Sequence, residues 1–292
     1  MKFQMVRQLN TDGVAVTWAC KTLDVSRSGY YASLGRTEPD RERENAALLV
    51  RIRAIHDKSD RTYGSPRVTE DLKAEGRVVN EKRVARLMRE NEIASESVKK
   101  FKITTTDSNH NLPIAERLFE TEHSDKVMAP NQVWGGDITY VATDEGWLFL
   151  AIFLDIFTRK VVGFSCDDNM RTELILRALE MALGRQDVED GQLVAHSDQG
   201  SQYASDAYCS RLRLAGIIAS MSRRGNCYDN AHVESFFHSL KTELVYRRHF
   251  KTREEAKRAI FEWIETWYNR QRRHSSLDYM TPEEYEKLAL AS

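Results

Sequence analysis

The spacing of apolar side chains divides the 292-residue chain into three regimes. Up to about residue 103 the period is helical. Val16–Leu23 forms a short helical pattern, and Ser26 stands where a cap would start a second helix through Tyr30 and Tyr31. Leu48, Ile52 and Ile55 repeat at helical spacing across residues 44–56. Gly64-Ser65-Pro66 then opens a helix that Gly76 ends, and Asn80 caps another with Val84, Leu87 and Met88 on one side. Each of these pairs predicts helix, turn, helix, either a nucleic-acid-reading unit or a small structural bundle.

Beyond a stretch without clear period the pattern changes to that of strands. "NQVWGGDITYVAT" alternates, Asp144-Glu145-Gly146 turns the chain, and "WLFLAIFLDIF" has the continuous apolar character of a strand buried on both faces. "KVVGFSC" follows another turn at Thr158-Arg159, giving three strands joined by hairpins. A helix from about Thr172 to Arg185, the strand "LVAHSD", a helix from Ser205 stopped by Gly216, the strand "IIASMS" and a long helix complete the unit. The order β-β-β-α-β-α-β-α predicts an α/β fold, a mixed five-stranded sheet with helices on its faces. After it, Ala256, Ala259, Ile260, Trp263, Ile264 and Trp267 continue a helical stripe that packing on the core explains. Thr281, Pro282 and Glu284 have the N-cap, N1 and N3 pattern of a capped helix start. The expected divisions are a short helical segment over 1–37, a helix-turn-helix-like all-α domain over 38–103, a linker over 104–130, the α/β core over 131–247 and a helical extension over 248–292.

Composition changes this picture little. The longest apolar run, Trp147 to Leu154, is eight residues, far short of the ~20 that span a membrane. No secretion signal opens the chain, and four scattered cysteines form no CxxC pair, so a reducing cytoplasm fits better than a disulfide framework or a structural zinc site. Charge is more informative by region than in sum. The net charge is −1, yet residues 41–103 carry 16 Lys and Arg against 11 Asp and Glu, and residues 238–274 carry 10 against 5. Two basic segments on an otherwise acidic chain suit contact with a polyanion at chosen places, or solvated helix faces. In the first, Lys82, Arg83, Arg86 and Arg89 surround the apolar stripe of one helix. In the second, Arg270, Arg272, Arg273 and His274 form a cationic knot, and both groups are candidate phosphate contacts.

Three carboxylates carry the candidate chemistry. Asp137 falls in the centre of the first strand, where a bare buried carboxylate costs several kcal/mol and therefore needs a partner. Asp198 ends the fourth strand, at the carboxyl edge where ligands of such sheets gather. Glu234 lies on the first turns of the long helix, and Glu234, His238 and Lys241 share one stripe of it. Taken alone, Asp198 before Gln199-Gly200 reads as a turn residue and Glu234 as a first-turn helix charge. Gathered together they would repel, and a hard divalent cation removes that cost. Asp155 is expected to serve a hairpin turn. His196 is expected on the opposite face from Asp198, in the core.

The pattern Asp137, Asp198, then Glu234 after 35 intervening residues, with Lys241 seven positions on, resembles the signature of DDE transposases and retroviral-type integrases. The strings "HSDQGSQY", "DNAHVESFFHSLKTE" and "YNRQRRHSSLDYMTPEEY", with "SRSGYYA" and "YGSPRV" ahead of them, are similar to the second-frame (OrfB-type) transposases of family-three bacterial insertion sequences, over about residues 14–288. That resemblance implies a ribonuclease H-like core in which Asp137, Asp198 and Glu234 are the catalytic and metal-binding triad, holding Mg²⁺ or substituting Mn²⁺, as two ions. It implies DNA contact by Lys241, to which the basic segments add Arg83, Arg86, Arg272 and Arg273. The implied reaction cleaves a strand at each transposon end and joins the 3′ hydroxyl to DNA. The implied partners are double-stranded transposon-end and target DNA, an upstream-frame protein or its frameshift fusion, and further copies of the chain on DNA; no membrane is involved. A nuclease that only hydrolyses and a DNA-binding protein on a dead core are the alternatives. A tyrosine recombinase is not, since "RRHSSLDY" lacks a second Arg beyond its His.

Overall fold

The computed structural model describes residues 2–34, 40–96, 113–119, 126–223 and 230–291. Lys99-Lys100, much of the expected linker, and the loop 224–229 with Cys227 lie outside the described residues. Three strands joined by hairpins start the sheet: β1 (Val133–Thr143), β2 (Gly146–Asp155) and β3 (Val161–Asp167). β4 (Val194–Ser197) and β5 (Ile218–Met221) then add in parallel on the far side of β1, for a spatial order β3-β2-β1-β4-β5. The mixed sheet follows from the connections. Short turns allow only antiparallel neighbours, whereas α7 (Thr172–Leu183) and α8 (Asp206–Leu214) supply the crossovers that parallel pairing needs.

Both faces are covered, and for that reason β2 is apolar nearly throughout. Leu148, Leu150, Ile152 and Leu154 meet α9 (Ala231–Glu243) and α10 (Arg253–Glu262). Ala151 and Phe153 point the other way, onto α7 and α8 with Trp134, Leu174 and Tyr208. At Gly163 a Cβ would sit 2.2 Å from the Ala178 carbonyl oxygen, so only glycine lets α7 lie this close to β3. Asp155 holds the β2–β3 turn, as expected. Its carboxylate accepts from the Asn131 and Thr158 amides at 2.7 Å and from the Thr158 hydroxyl at 2.9 Å. His196 is buried against Phe119, its Nδ1 2.9 Å from the Ser220 hydroxyl. Paired with Gly135 in the parallel register, it lies on the same face as Asp198 two positions on, not the opposite one, because alternate residues of a strand share a face.

Ahead of the sheet lie α1 (Lys2–Thr11), α2 (Val16–Thr22) and α3 (Arg27–Leu34), then α4 (Asp40–Lys58), α5 (Ser65–Ala74) and α6 (Glu81–Glu90). Helix α1 was not expected from the sequence; it exists by packing Val6 on Ala19, Cys20 and Tyr30. Leu48, Ile52, Tyr63, Val68, Leu72, Val84 and Met88 form the core of α4–α6. Past α10 the expected continuous helix widens into a π-helix over Trp263–Tyr268. That widening delivers Asn269 to the open edge of β3, where its amide bonds both the N–H and the C=O of Val161 at 3.0 Å. The tail then turns into α11 (Pro282–Leu290), whose Thr281 and Glu284 make the expected capping box.

Candidate active site

The site is built where β1, β4 and α9 meet. In the parallel register Gly136 pairs with Ser197, so the next position brings Asp198 alongside Asp137, one strand spacing (about 4.8 Å) away. Asp137 shares the face of Gly135, and a Cβ on Gly135 would lie 2.7 Å from the Val233 side chain of α9. The missing side chain therefore lets the helix seat directly on the strand. Asn230 pins its start, donating to the Gly136 carbonyl at 3.3 Å. Glu234, on the first turn, stands exposed beside the two aspartates.

Electrostatics shows that these groups share one space. The Asp137 carboxyl is pushed up to about 8, chiefly by burial, then by the negative charge of Asp198, and further by Glu234; the Ile138 amide, 2.7 Å from its Oδ1, and Lys241 pull the other way. Lys241 is half-buried with its ammonium 4.8 Å from the centre of the Tyr140 ring; burial lowers its affinity for a proton and Asp137 raises it. Asp198 accepts from the Gly200 amide at 2.9 Å. Tyr203, 2% exposed, holds a buried hydroxyl with no hydrogen-bond partner, and burial followed by Asp137 and Asp198 keeps that phenol well above its ordinary pKa.

A hard divalent cation fits this donor set: oxygen ligands only, with like charges forced together and an orphaned hydroxyl alongside. The cluster is not closed in advance. Among the described residues no three His, Cys, Asp or Glu side chains form a ready-made metal group. Asp137 and Asp198 are adjacent, while Glu234 is exposed and has side-chain rotation with which to close on them. Sequence reasoning missed Asn230, Tyr203 and Gly135; the Gly-Gly ahead of Asp137 and the Tyr ending "HSDQGSQY" were the available signals.

The other expected contacts are scattered. Arg83 and Arg86 lie on α6, away from the acids, held by Asn45 and Glu44 and by Glu90 respectively. Arg272 and Arg273, expected at a DNA surface, are instead engaged inside the protein. Arg272 is 5% exposed and grips Glu243 of α9 through Nε and Nη2, at 3.0 and 2.7 Å. Arg273 pairs with Asp71 of α5 and donates to the Tyr279 carbonyl at 2.9 Å, so the knot ties the tail to two other parts of the chain.

Residues 128–227 match the integrase core domain family, residues 215–282 a second integrase core domain family, and residues 42–101 an HTH-like domain. The chain is 42% identical over 274 residues to the insertion element IS600 uncharacterized 31 kDa protein of Shigella sonnei, covering 92% of this chain and 99% of that protein. It is 39% identical over 278 residues to transposase InsF for insertion sequence IS3A of Escherichia coli K12, covering 93% and 94%. The chain belongs to the IS3-type transposases. This transposase is thus a DDE-type polynucleotidyl transferase of DNA transposition, with an integrase-type core behind a helix-turn-helix-like region. Among solved structures it overlaps a chain of the simian T-cell lymphotropic virus intasome in complex with PP2A regulatory subunit B56 gamma, at TM-score 0.47 and 14% identity, covering 80% of this chain and 73% of that one. It overlaps the HTLV-2 integrase catalytic core domain in complex with magnesium at TM-score 0.42 and 16% identity, covering 55% and 98%. Among the described residues no helix is long and apolar enough to cross a membrane.

Proposed function

We propose that this transposase cuts one strand at each transposon end and joins the freed 3′ hydroxyl to target DNA by direct transesterification, with Asp137, Asp198 and Glu234 as its catalytic triad. The observation that carries the reading is the adjacency of Asp137 and Asp198 on neighbouring strands, with Glu234 and Lys241 of one helix close enough to shift the Asp137 proton. Bound there as one or two ions, Mg²⁺ (or Mn²⁺) would activate the attacking hydroxyl and stabilise the leaving oxygen of the phosphodiester.

The chain's own residues then have separate tasks. Asp137 and Asp198 are held rigidly, one inside a strand and the other at a strand end clamped by the Gly200 amide. Glu234 is the adjustable member, on a helix start that Asn230 fixes against β1. Lys241, braced on Tyr140, neutralises charge at the edge of the acids and attracts the strand to be cut. In the first step water attacks the phosphorus and the 3′ oxygen leaves, taking a proton. In the second that 3′ hydroxyl attacks a target phosphodiester, one P–O bond forming as another breaks. Neither step uses a covalent enzyme intermediate.

Arg83 and Arg86 add contacts on α6: their charged partners, Glu44 and Glu90, are surface acids, and such pairs contribute at most about 1 kcal/mol, so a phosphate readily replaces them. The remaining parts of the proposal are assembly of several copies on DNA, action with an upstream-frame product or as its fusion, and work in the bacterial cytoplasm, where the DNA lies. The test is purified protein with Mg²⁺ and labelled duplex carrying the element's terminal repeat. Joined products support the proposal; cleavage without joining reduces the protein to a nuclease, and binding without chemistry rejects the triad.

A further inference from the structure

A second polar site lies around α9 from Glu234. A cavity of about 320 Å³ is walled by Arg67 of α5, Arg159 of the β2–β3 turn, His232 and Ser239 of α9, and Arg272 and His274 of the tail. Three guanidinium groups from three separate parts of the fold meet there, yet among the described residues the acids facing them are few. Glu243 is taken up by Arg272, and Asp155, which faces Arg159, is committed to the turn amides. Arg159 is held with φ of +60°, a conformation that L side chains seldom adopt, and the Asp155-bonded turn keeps it there. Two buried donor or acceptor atoms in this wall, Arg159 Nη1 and His232 Nε2, have no hydrogen-bond partner. Burial and the neighbouring arginines push His274 down to about 2, so it stays neutral and does not add to the repulsion.

Enclosing that much positive charge with donors left over costs free energy unless an anion completes the site. We infer that this cavity is a receptor for one backbone phosphate of the DNA strand engaged at the active site, with Arg159 and Arg67 as its principal donors. The size allows a phosphodiester and several waters. The position favours a strand over a free anion, because Glu234, Ser235 and His238 form a continuous exposed stripe of α9. Ser235 is one residue, about 100° of helix, around from Glu234, so a strand crossing that stripe meets the acids on one flank and the arginines on the other. Seating a phosphate here also reports to the rest of the chain, since Arg67 belongs to the helix-turn-helix-like region and Arg272 to the tail. For its DNA ligand the assignment rests on the strand-transfer reading above.

The experiment scans the terminal-repeat duplex with single neutral methylphosphonates, against wild type, Arg159→Gln and Arg67→Gln, with thermal unfolding as a check of folding. One position in the duplex is expected to cost wild type about tenfold in affinity and to cost Arg159→Gln nothing further. In parallel, inorganic phosphate should raise the thermal stability of wild type and not of Arg159→Gln, while Mn²⁺ binding at the acids stays unchanged in that variant. A full methylphosphonate penalty that persists in both variants overturns the inference. Phosphate protection without any coupled methylphosphonate position also overturns it, leaving a pocket for free anions. If wild type joins DNA and the scan shows no coupling, only the pocket falls; if wild type neither binds nor joins end DNA, both readings fall. Should either Gln variant fail to fold, the Lys substitution at that residue (Arg159→Lys or Arg67→Lys) replaces it, with a partial penalty expected at the same position.

Discussion

Replacing Asp137 by Asn should make the metal-free protein more stable at neutral pH, the opposite of what loss of a buried polar group usually does. The reason is the crowding of negative charge. The folded Asp137 carboxyl is pushed up to about 8 from 3.8, so between those values the native state holds a proton that the unfolded chain has released. Stability then falls as pH rises through that window, because the native state binds more protons than the unfolded one. At pH 7 about three pH units of this linkage apply, an upper bound of about 4 kcal/mol at about 1.4 kcal/mol per unit. Asp137 retains some accessible surface, and solvent at the rim screens its neighbours, which brings the expected gain to about 1–3 kcal/mol. Asn keeps size and hydrogen bonding and removes the titration. Urea unfolding in a chelator should show Asp137→Asn above wild type at neutral pH, with the two curves converging near pH 4. Excess Mg²⁺ should reverse the order by stabilising wild type alone, by about 4 kcal/mol at roughly a thousandfold excess over the dissociation constant. A variant less stable than wild type by the same amount at every pH would refute the reasoning.

Three further outcomes follow from other contacts. Lys241→Ala should weaken binding of terminal-repeat duplex at low salt and reduce the slope of log affinity against log salt by about one unit, so that the deficit shrinks as salt rises; an unchanged slope in a fluorescence titration denies it a phosphate contact. Arg272→Met strands the buried Glu243 carboxylate and should cost about 3–5 kcal/mol in urea unfolding, most of it restored by adding Glu243→Gln. Thr281→Ala removes the capping box of α11 and should cost about 1 kcal/mol in the same assay, with strand joining unaffected.

What the sequence made legible was whatever depends on period and on local caps. The succession of strands and helices along the chain, the Asn80 and Thr281 caps, the burial of β2 on both faces and the turn role of Asp155 all follow from residues within a few positions of one another. The aspartates were legible as a pair only through the spacing that resembles the DDE signature; their adjacency rests on the pairing of β1 with β4, which nothing in either strand alone announces. Long-range partnerships were not legible. Arg272 and Arg273 read as a solvated cationic knot, since the partners that take them inside, Glu243 and Asp71, stand 29 and 202 positions away. Helix α1 escaped notice because ten residues hold a helix only when packed, and Val6 finds its partners on α2 and α3. The π-helix had no signal in an apolar stripe that fits continuous α-helix equally well. It coincides with a contact 108 positions back along the chain, the bonding of Asn269 to Val161 on the edge of β3.

The central claim, that Asp137, Asp198 and Glu234 act together on one metal, is tested most directly by titrating Mn²⁺ into the transposase bound to its end DNA and following free Mn²⁺ by electron paramagnetic resonance. Wild type should bind one or two ions per active site, and Asp137→Asn, Asp198→Asn and Glu234→Gln should each lose tight binding while the DNA stays bound. Wild-type Mn²⁺ affinity in any one of the three variants would contradict the account.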